Sequence, residues 1–217
     1  MEKTNYLRGG LEKKCEEWLG KIRKHSRLRL PPRVTKRSCA LLVIDMQNFF
    51  LNEKSHAFVP AGKAIIQNIK KLIKMFRSLG LPIIFTRYAL AEGEDTGMME
   101  KWWADAVLEG TFYSKLALKR SRDDKVIRKS SYSAFYGTNL ERILRENNIE
   151  QIVLTGVMTH LCCDTTAREA FLRGFNVYFV MDATATYNEE LHLASILALS
   201  HGFVYPVTTN QTIALFE

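Results

Sequence analysis

A chain of 217 residues that is 47% hydrophobic has material for one packed domain and an appendage, and it lacks the run of about 18 apolar residues that a membrane span requires. Its net charge of +8 is lopsided: residues 1–38 hold 12 of the 31 basic and 4 of the 23 acidic side chains, leaving 19 of each sign for the rest. A neutral body argues against a general phosphate-binding surface, and so against nucleic acid as a partner of the main domain. Four cysteines at irregular spacing, with no C-x-x-C pair, argue against a disulfide framework and a zinc cluster. They fit the reduced thiols of a cytoplasmic protein, and the N-terminus shows no apolar core of a secretory signal.

In chain order, Leu11, Cys15, Trp18, Leu19 and Ile22 recur at helical spacing with Lys and Arg between them. This predicts a basic, amphipathic helical arm over residues 1–36, docked on its own domain or on a neighbouring subunit. The remainder, 37–217, reads as one α/β domain. Strands are predicted at 39–45 (CALLVID), 81–87, 125–129 (KVIRK), 151–157 (QIVLTGV), 176–182 and 203–209. Helices are predicted at 61–79, 137–147, 162–173 and 188–202, several closed by glycine. Strands that are apolar on both faces and alternate with helices imply a three-layer αβα fold around a mostly parallel, six-stranded sheet. Residues 88–124 are irregular and suit a lid or binding loop.

In such sheets the working crevice lies beyond the carboxyl ends of the strands. The predicted ends deliver Asp45, Arg87, Lys129, the Gly156–Cys162 turn and Asp182. Neither G-x-G-x-x-G nor G-x-x-x-x-G-K-[ST] is present, so no phosphate cradle is expected. The stretch GVMTHLCCDTTAREAF (156–171) places adjacent thiols at a strand-to-helix turn. A thiol attacks as its thiolate, which a helix N-terminus, a nearby base and a cation all favour. The turn also offers backbone N–H groups to an oxyanion. Each residue has a plainer reading: a turn aspartate, a solvated lysine, a small buried hydrophobe.

Three blocks raise the chemical reading: IDMQNFF (44–50), RKSSYSAFYGTNLERIL (128–144) and TGVMTHLCCDTTAREAFLRGF (155–175). In this order they resemble the isochorismatase-like cysteine hydrolases over residues 39–210. The resemblance implies a catalytic triad of Asp45, Lys129 and Cys162, with Cys163 turned away as packing. It also implies a cis peptide at Val157–Met158 and an oxyanion hole made by the N–H groups of Met158 and Cys162. Asp45 would take the thiol proton, the thiolate would attack an amide or ureido carbonyl, and water would release the thioester, without a cofactor.

Related nicotinamidases carry a metal on an Asp-x-His element after strand two. Here FTRYALAEG has no histidine, so no metal is expected, and His56 reads as a surface residue. True isochorismatases share the histidine at position 160 but have glycine where Cys162 stands. Vinyl ether hydrolysis with Asp45 as general acid is therefore the alternative. Arg87 is a candidate fork for a substrate carboxylate or else a surface ion pair. Gln47, Phe50, Tyr132, Phe135, Thr159 and His160 are candidate substrate contacts. Trp102 and Trp103 are either pocket walls or packing residues. The resemblance also implies a homo-oligomer, dimer or tetramer. A non-enzymatic scaffold using the basic arm is the third class.

Overall fold

Runs that are apolar on every residue must be covered on both sides, and amphipathic helices between them supply the cover. A computed structural model, describing residues 1–8, 10–25, 31–32, 34–35 and 37–216, shows this arrangement. The strands are β1 (Cys39–Ile44), β2 (Ile83–Tyr88), β3 (Lys125–Lys129), β4 (Gln151–Val157), β5 (Asn176–Ala185) and β6 (Tyr205–Val207). They form one sheet in the order β3-β2-β1-β4-β5-β6, with every neighbouring pair parallel. The order reverses direction at β1, between β2 and β4, and this is where a crevice opens in a doubly wound sheet.

The helices are α1 (Leu11–His25), α2 (Asn48–Leu51), α3 (Ile66–Ser78), α4 (Gly97–Trp103), α5 (Leu140–Glu146), α6 (Asp164–Leu172), α7 (Glu189–Gly202) and α8 (Thr209–Ala214). α3 packs with α8 and on β1, β2 and β5, while α6 packs with α7 and on β5. The three-layer αβα architecture and the six-stranded sheet are those expected. No described helix is long and apolar enough to cross a membrane.

The structure moves several boundaries. The helix predicted at 61–79 enters through a 3-10 turn, Pro60–Lys63, before α3 begins at Ile66. The one predicted at 137–147 starts at Leu140, because the Thr138 hydroxyl turns back to the Ala134 carbonyl at 2.6 Å and holds the preceding loop. β5 runs past Asp182 to Ala185, so Asp182 is not a strand end. Its buried carboxylate accepts from Asn68 Nδ2 at 3.0 Å and from the Thr209 N–H at 2.7 Å, joining α3 to the start of α8.

The basic arm packs on its own domain. Cys15, Trp18 and Ile22 of α1 are buried, and the Trp18 ring lies 4.5 Å from that of His192 on α7. Glu189, at the start of α7, accepts from Trp18 Nε1 at 3.0 Å and pairs with Lys14 at 2.9 Å. The apolar stripe is thus buried within the chain.

Candidate active site

β1 ends at Ile44, and the next residue, Asp45, takes a left-handed conformation (φ 47°) that turns its side chain across the end of the sheet. Thr86 of β2 fixes it twice. Its hydroxyl donates to Asp45 Oδ1 at 2.7 Å and accepts the Asp45 N–H at 3.1 Å. The second carboxylate oxygen, Oδ2, is buried and faces the Lys129 Nζ at 2.7 Å. Lys129 closes β3, and its ammonium also donates to the Ser131 carbonyl at 2.8 Å and to the Cys162 Sγ at 3.4 Å. Two hydrogen bonds and one ion pair thus surround the ammonium, which is how such a group is retained in a buried site.

Cys162 arrives from the far side of β1. After β4 the Val157–Met158 peptide is cis, and Thr159–Cys163 form a single π-helical turn before α6. Such turns insert one extra residue per turn and recur at functional sites. Here the turn delivers Cys162 to the cation while Cys163 is sealed in the core.

Burial pushes the Cys162 thiol up to about 12, against the pull of Lys129 and with Asp45 adding to the rise. Burial alone would lower the Lys129 ammonium, but Asp45 and the Cys162 sulfur overcome it and hold the lysine above its ordinary range. The resting site is therefore a neutral thiol beside a buried carboxylate–ammonium pair, and the sulfur becomes a nucleophile only by giving up its proton as it reacts. The Asp45 carboxylate is near enough to that thiol to help hold its proton in place.

Cys162 borders a cavity of 270 Å³. Its walls are mostly aromatic and apolar, including Phe49, Phe50, Tyr88, Trp103, Tyr132 and Tyr187. The Trp103 indole donates to the Tyr132 hydroxyl at 2.7 Å, joining the irregular region to the loop after β3. Of the paired tryptophans only Trp103 borders this space. Trp102 is 72% exposed and lines a separate groove with Met98 and Tyr136.

Several expected contacts are placed elsewhere. Side chains alternate along a strand, so Thr86 and Tyr88 share the face toward the site and Arg87 takes the other. Its guanidinium pairs with Glu109 and borders a different cavity, which removes it as a substrate fork. Gln47 is buried and structural: it donates to the Tyr88 and Ser114 carbonyls at 3.0 and 3.2 Å and accepts from the Tyr88 N–H at 2.7 Å. Phe135 stacks on Phe175 at 6.0 Å within the core. Thr159 is buried against His192 Nδ1 at 2.8 Å, and His160 meets the Thr186 hydroxyl at 2.6 Å; neither lines the cavity.

Sequence reasoning missed Thr86, His56, Asp105, Met99, Tyr187 and Lys3. Thr86 had a signal, a polar residue inside the apolar run LPIIFTR. His56, read as a surface residue, is exposed yet borders the cavity, its Nε2 3.1 Å from Asp105 Oδ2. Among the described residues no cluster of three or more His, Cys, Asp or Glu is arranged to hold a metal ion. The residues after β2 supply no histidine, and among the described residues the His56–Asp105 pair gains no third ligand, so the residues present do not fit the Asp-x-His metal element that the resemblance to nicotinamidases raised.

A cysteine, a buried aspartate and a buried lysine gathered at the switch point of a doubly wound sheet define a hydrolase-type site. The chain belongs to the isochorismatase-like hydrolase family: residues 39–211 match the model of the isochorismatase domain. It is 40% identical over 177 residues to nicotinamidase 3 of Arabidopsis thaliana, covering 79% of this chain and 85% of that one. It is 30% identical to the isochorismatase of Bacillus subtilis, over 79% of this chain but only 55% of that protein's length. The crystal structure of a cysteine hydrolase from Pseudomonas syringae pv. phaseolicola superposes with a TM-score of 0.82 at 25% identity, over 87% of this chain and 95% of that one. The protein is accordingly a hydrolase of this family.

Proposed function

We propose that this enzyme hydrolyses the C–N bond of a small amide or ureido compound through a thioester on Cys162, without a metal. The observation that carries this is the Lys129 ammonium held between Asp45 Oδ2 (2.7 Å) and Cys162 Sγ (3.4 Å) at the wall of the cavity. Asp45 takes the thiol proton as the sulfur attacks the substrate carbonyl, and the negative charge passes to the carbonyl oxygen. The N–H groups of Met158, just before the π turn, and of Cys162, within it, stabilise that oxyanion. Asp45 then hands the proton to the departing nitrogen, releasing ammonia or an amine and leaving the acyl group on sulfur. A water loses a proton to the same carboxylate, adds to the thioester and frees the acid, and Cys162 recovers its proton. Lys129 stays charged throughout and balances the negative charge as it moves between sulfur and carboxylate.

The similarity to a nicotinamidase and to a cysteine hydrolase supports amide chemistry, and the aromatic walls suit a small, flat substrate body. The test is ammonia release from a panel of small amides and ureido compounds by wild type, Cys162→Ala and Asp45→Asn. Both variants are expected to lose turnover by at least about 10³-fold. Hydrolysis of isochorismate, assayed beside the panel, that survives Cys162→Ala but not Asp45→Asn would transfer the reading to vinyl ether hydrolysis, with Asp45 as general acid.

A further inference from the structure

The walls of the catalytic cavity do not all come from the sheet domain, because Met1 and Lys3 border the same space as Cys162. This N-terminal strap is tied down along its length. The Thr4 N–H donates to the Tyr187 carbonyl at 2.7 Å, and the Asn188 side chain donates to the Glu2 carbonyl at 3.2 Å. The Tyr6 hydroxyl accepts the Thr186 N–H at 3.2 Å, and Leu7 is buried in the core. Lys3 donates to the His56 carbonyl, and its Nζ lies 4.1 Å from the centre of the Tyr187 ring. His56 and Tyr187 themselves border the cavity, so these two contacts hold the ammonium at its mouth.

The charges around this space are unequally committed. Lys129 is consumed inside the site by Asp45 and Cys162. At the mouth, Asp105 faces His56 at 3.1 Å. Lys3 makes no ion pair among the described residues, and burial draws its ammonium below the ordinary lysine range, as befits a cation that lacks a counter-ion. With one donor on the His56 carbonyl, two remain. At 270 Å³ the cavity is small enough that a molecule with its carbonyl on Cys162 reaches toward the mouth.

We propose that Lys3, carried into the active site by the N-terminal strap, binds a carboxylate of the substrate, which is therefore a small anionic amide or ureido acid. This rests on the C–N hydrolase reading above and assigns to Lys3 the role that Arg87 cannot fill.

The test uses the full-length enzyme with succinamate and its neutral counterpart butyramide, comparing wild type, Lys3→Met and Lys3→Arg. The ratio of kcat/KM for succinamate over butyramide is expected to fall about 10- to 100-fold in Lys3→Met, mainly through KM for succinamate, and to be largely restored in Lys3→Arg. An equal loss on both amides would make the strap merely structural and overturn the proposal, as would an unchanged ratio. An NMR titration with succinate reads the same contact without turnover. It should bind Lys3→Met at least about tenfold more weakly than wild type, and equal binding, or none to wild type, refutes the role of Lys3. Failure of the C–N reading shows separately, as no hydrolysis of either amide or as hydrolysis that survives Cys162→Ala, and succinate binding then decides the role of Lys3 alone.

Discussion

Gly156 of β4 runs so close beneath Ile44 of β1 that a β-carbon on it would lie 2.0 Å from the Ile44 carbonyl oxygen. Its φ of 115° also lies where side chains with a β-carbon are strained. The contact sits one residue before Asp45 and one before the Val157–Met158 turn, so it sets the spacing between the strands that present the acid and the sulfur. Gly156→Ala is expected to destabilise the fold by at least about 3 kcal/mol, combining overpacking with backbone strain, and to reduce kcat in whatever folds. Urea unfolding midpoints check the first effect. A variant as stable as wild type would show that the two strands are free to separate.

Thr86 is the other support of Asp45. Thr86→Val keeps the shape but removes a hydroxyl that both donates to Oδ1 and accepts the Asp45 N–H. The expected stability loss is about 1–3 kcal/mol, with kcat down about 10- to 100-fold and KM nearly unchanged. Thr86→Ser should recover most of both. Steady-state kinetics beside a chemical melt separate a misaimed carboxylate from simple loss of fold.

The buried Cys162 predicts a specific pH behaviour. With its folded pKa raised to about 12, the thiol keeps its proton where the unfolded chain, near the ordinary value of 9.0, has lost it. The unfolded state then binds fewer protons, so stability falls as pH rises from about 9 toward 12, by about 1.4 kcal/mol per pH unit for this group. Cys15, raised by burial to about 12, adds to the same alkaline loss, so Cys162→Ala should make the decline shallower without abolishing it. Iodoacetamide labelling of Cys162 should climb steadily from pH 7 to 9. A plateau near neutrality would mean a preformed thiolate and contradict the resting state described here.

His192 governs the acid side. Burial lowers its pKa to about 3, with His160 adding to the fall and Glu189 opposing it, and the rings of Trp18 and Tyr6 enclose it. Between the ordinary value of 6.5 and about 3 the unfolded chain binds a proton that the native state refuses, so stability falls as pH drops through this window. By pH 4.5 the loss from this residue should be about 2–3 kcal/mol. His192→Gln, although weaker at neutral pH, is expected to lose less on acidification, as read from urea midpoints at pH 7 and 4.5. Parallel acid limbs in the two proteins would place the titration elsewhere.

The order of strands and helices, the apolar stripe of α1 and the gathering of Asp45, Lys129 and Cys162 at one end of the sheet were legible in the sequence. Hydrophobic periodicity is a local property of the chain, and a strand end is a fixed address once the strand is known. Arg87 marks where that reading stopped: whether a residue at the end of a strand faces the crevice depends on a one-residue parity that the sheet alone decides. Thr86 and Arg87 are adjacent in the chain, yet one grips the Asp45 carboxylate and the other pairs with Glu109 on the far side.

The irregular stretch 88–124 and the residues ahead of α1 carried no period to read, so the split between Trp102 and Trp103, the pairing of His56 with Asp105, and the arrival of Lys3 at the mouth of the cavity were decided by the fold. The same holds for the state of the sulfur. Residue types placed a thiol, an acid and an amine together, but the protonation of that thiol depends on how much water reaches it. Only the packed structure fixes this, because desolvation is set by neighbours distant in sequence.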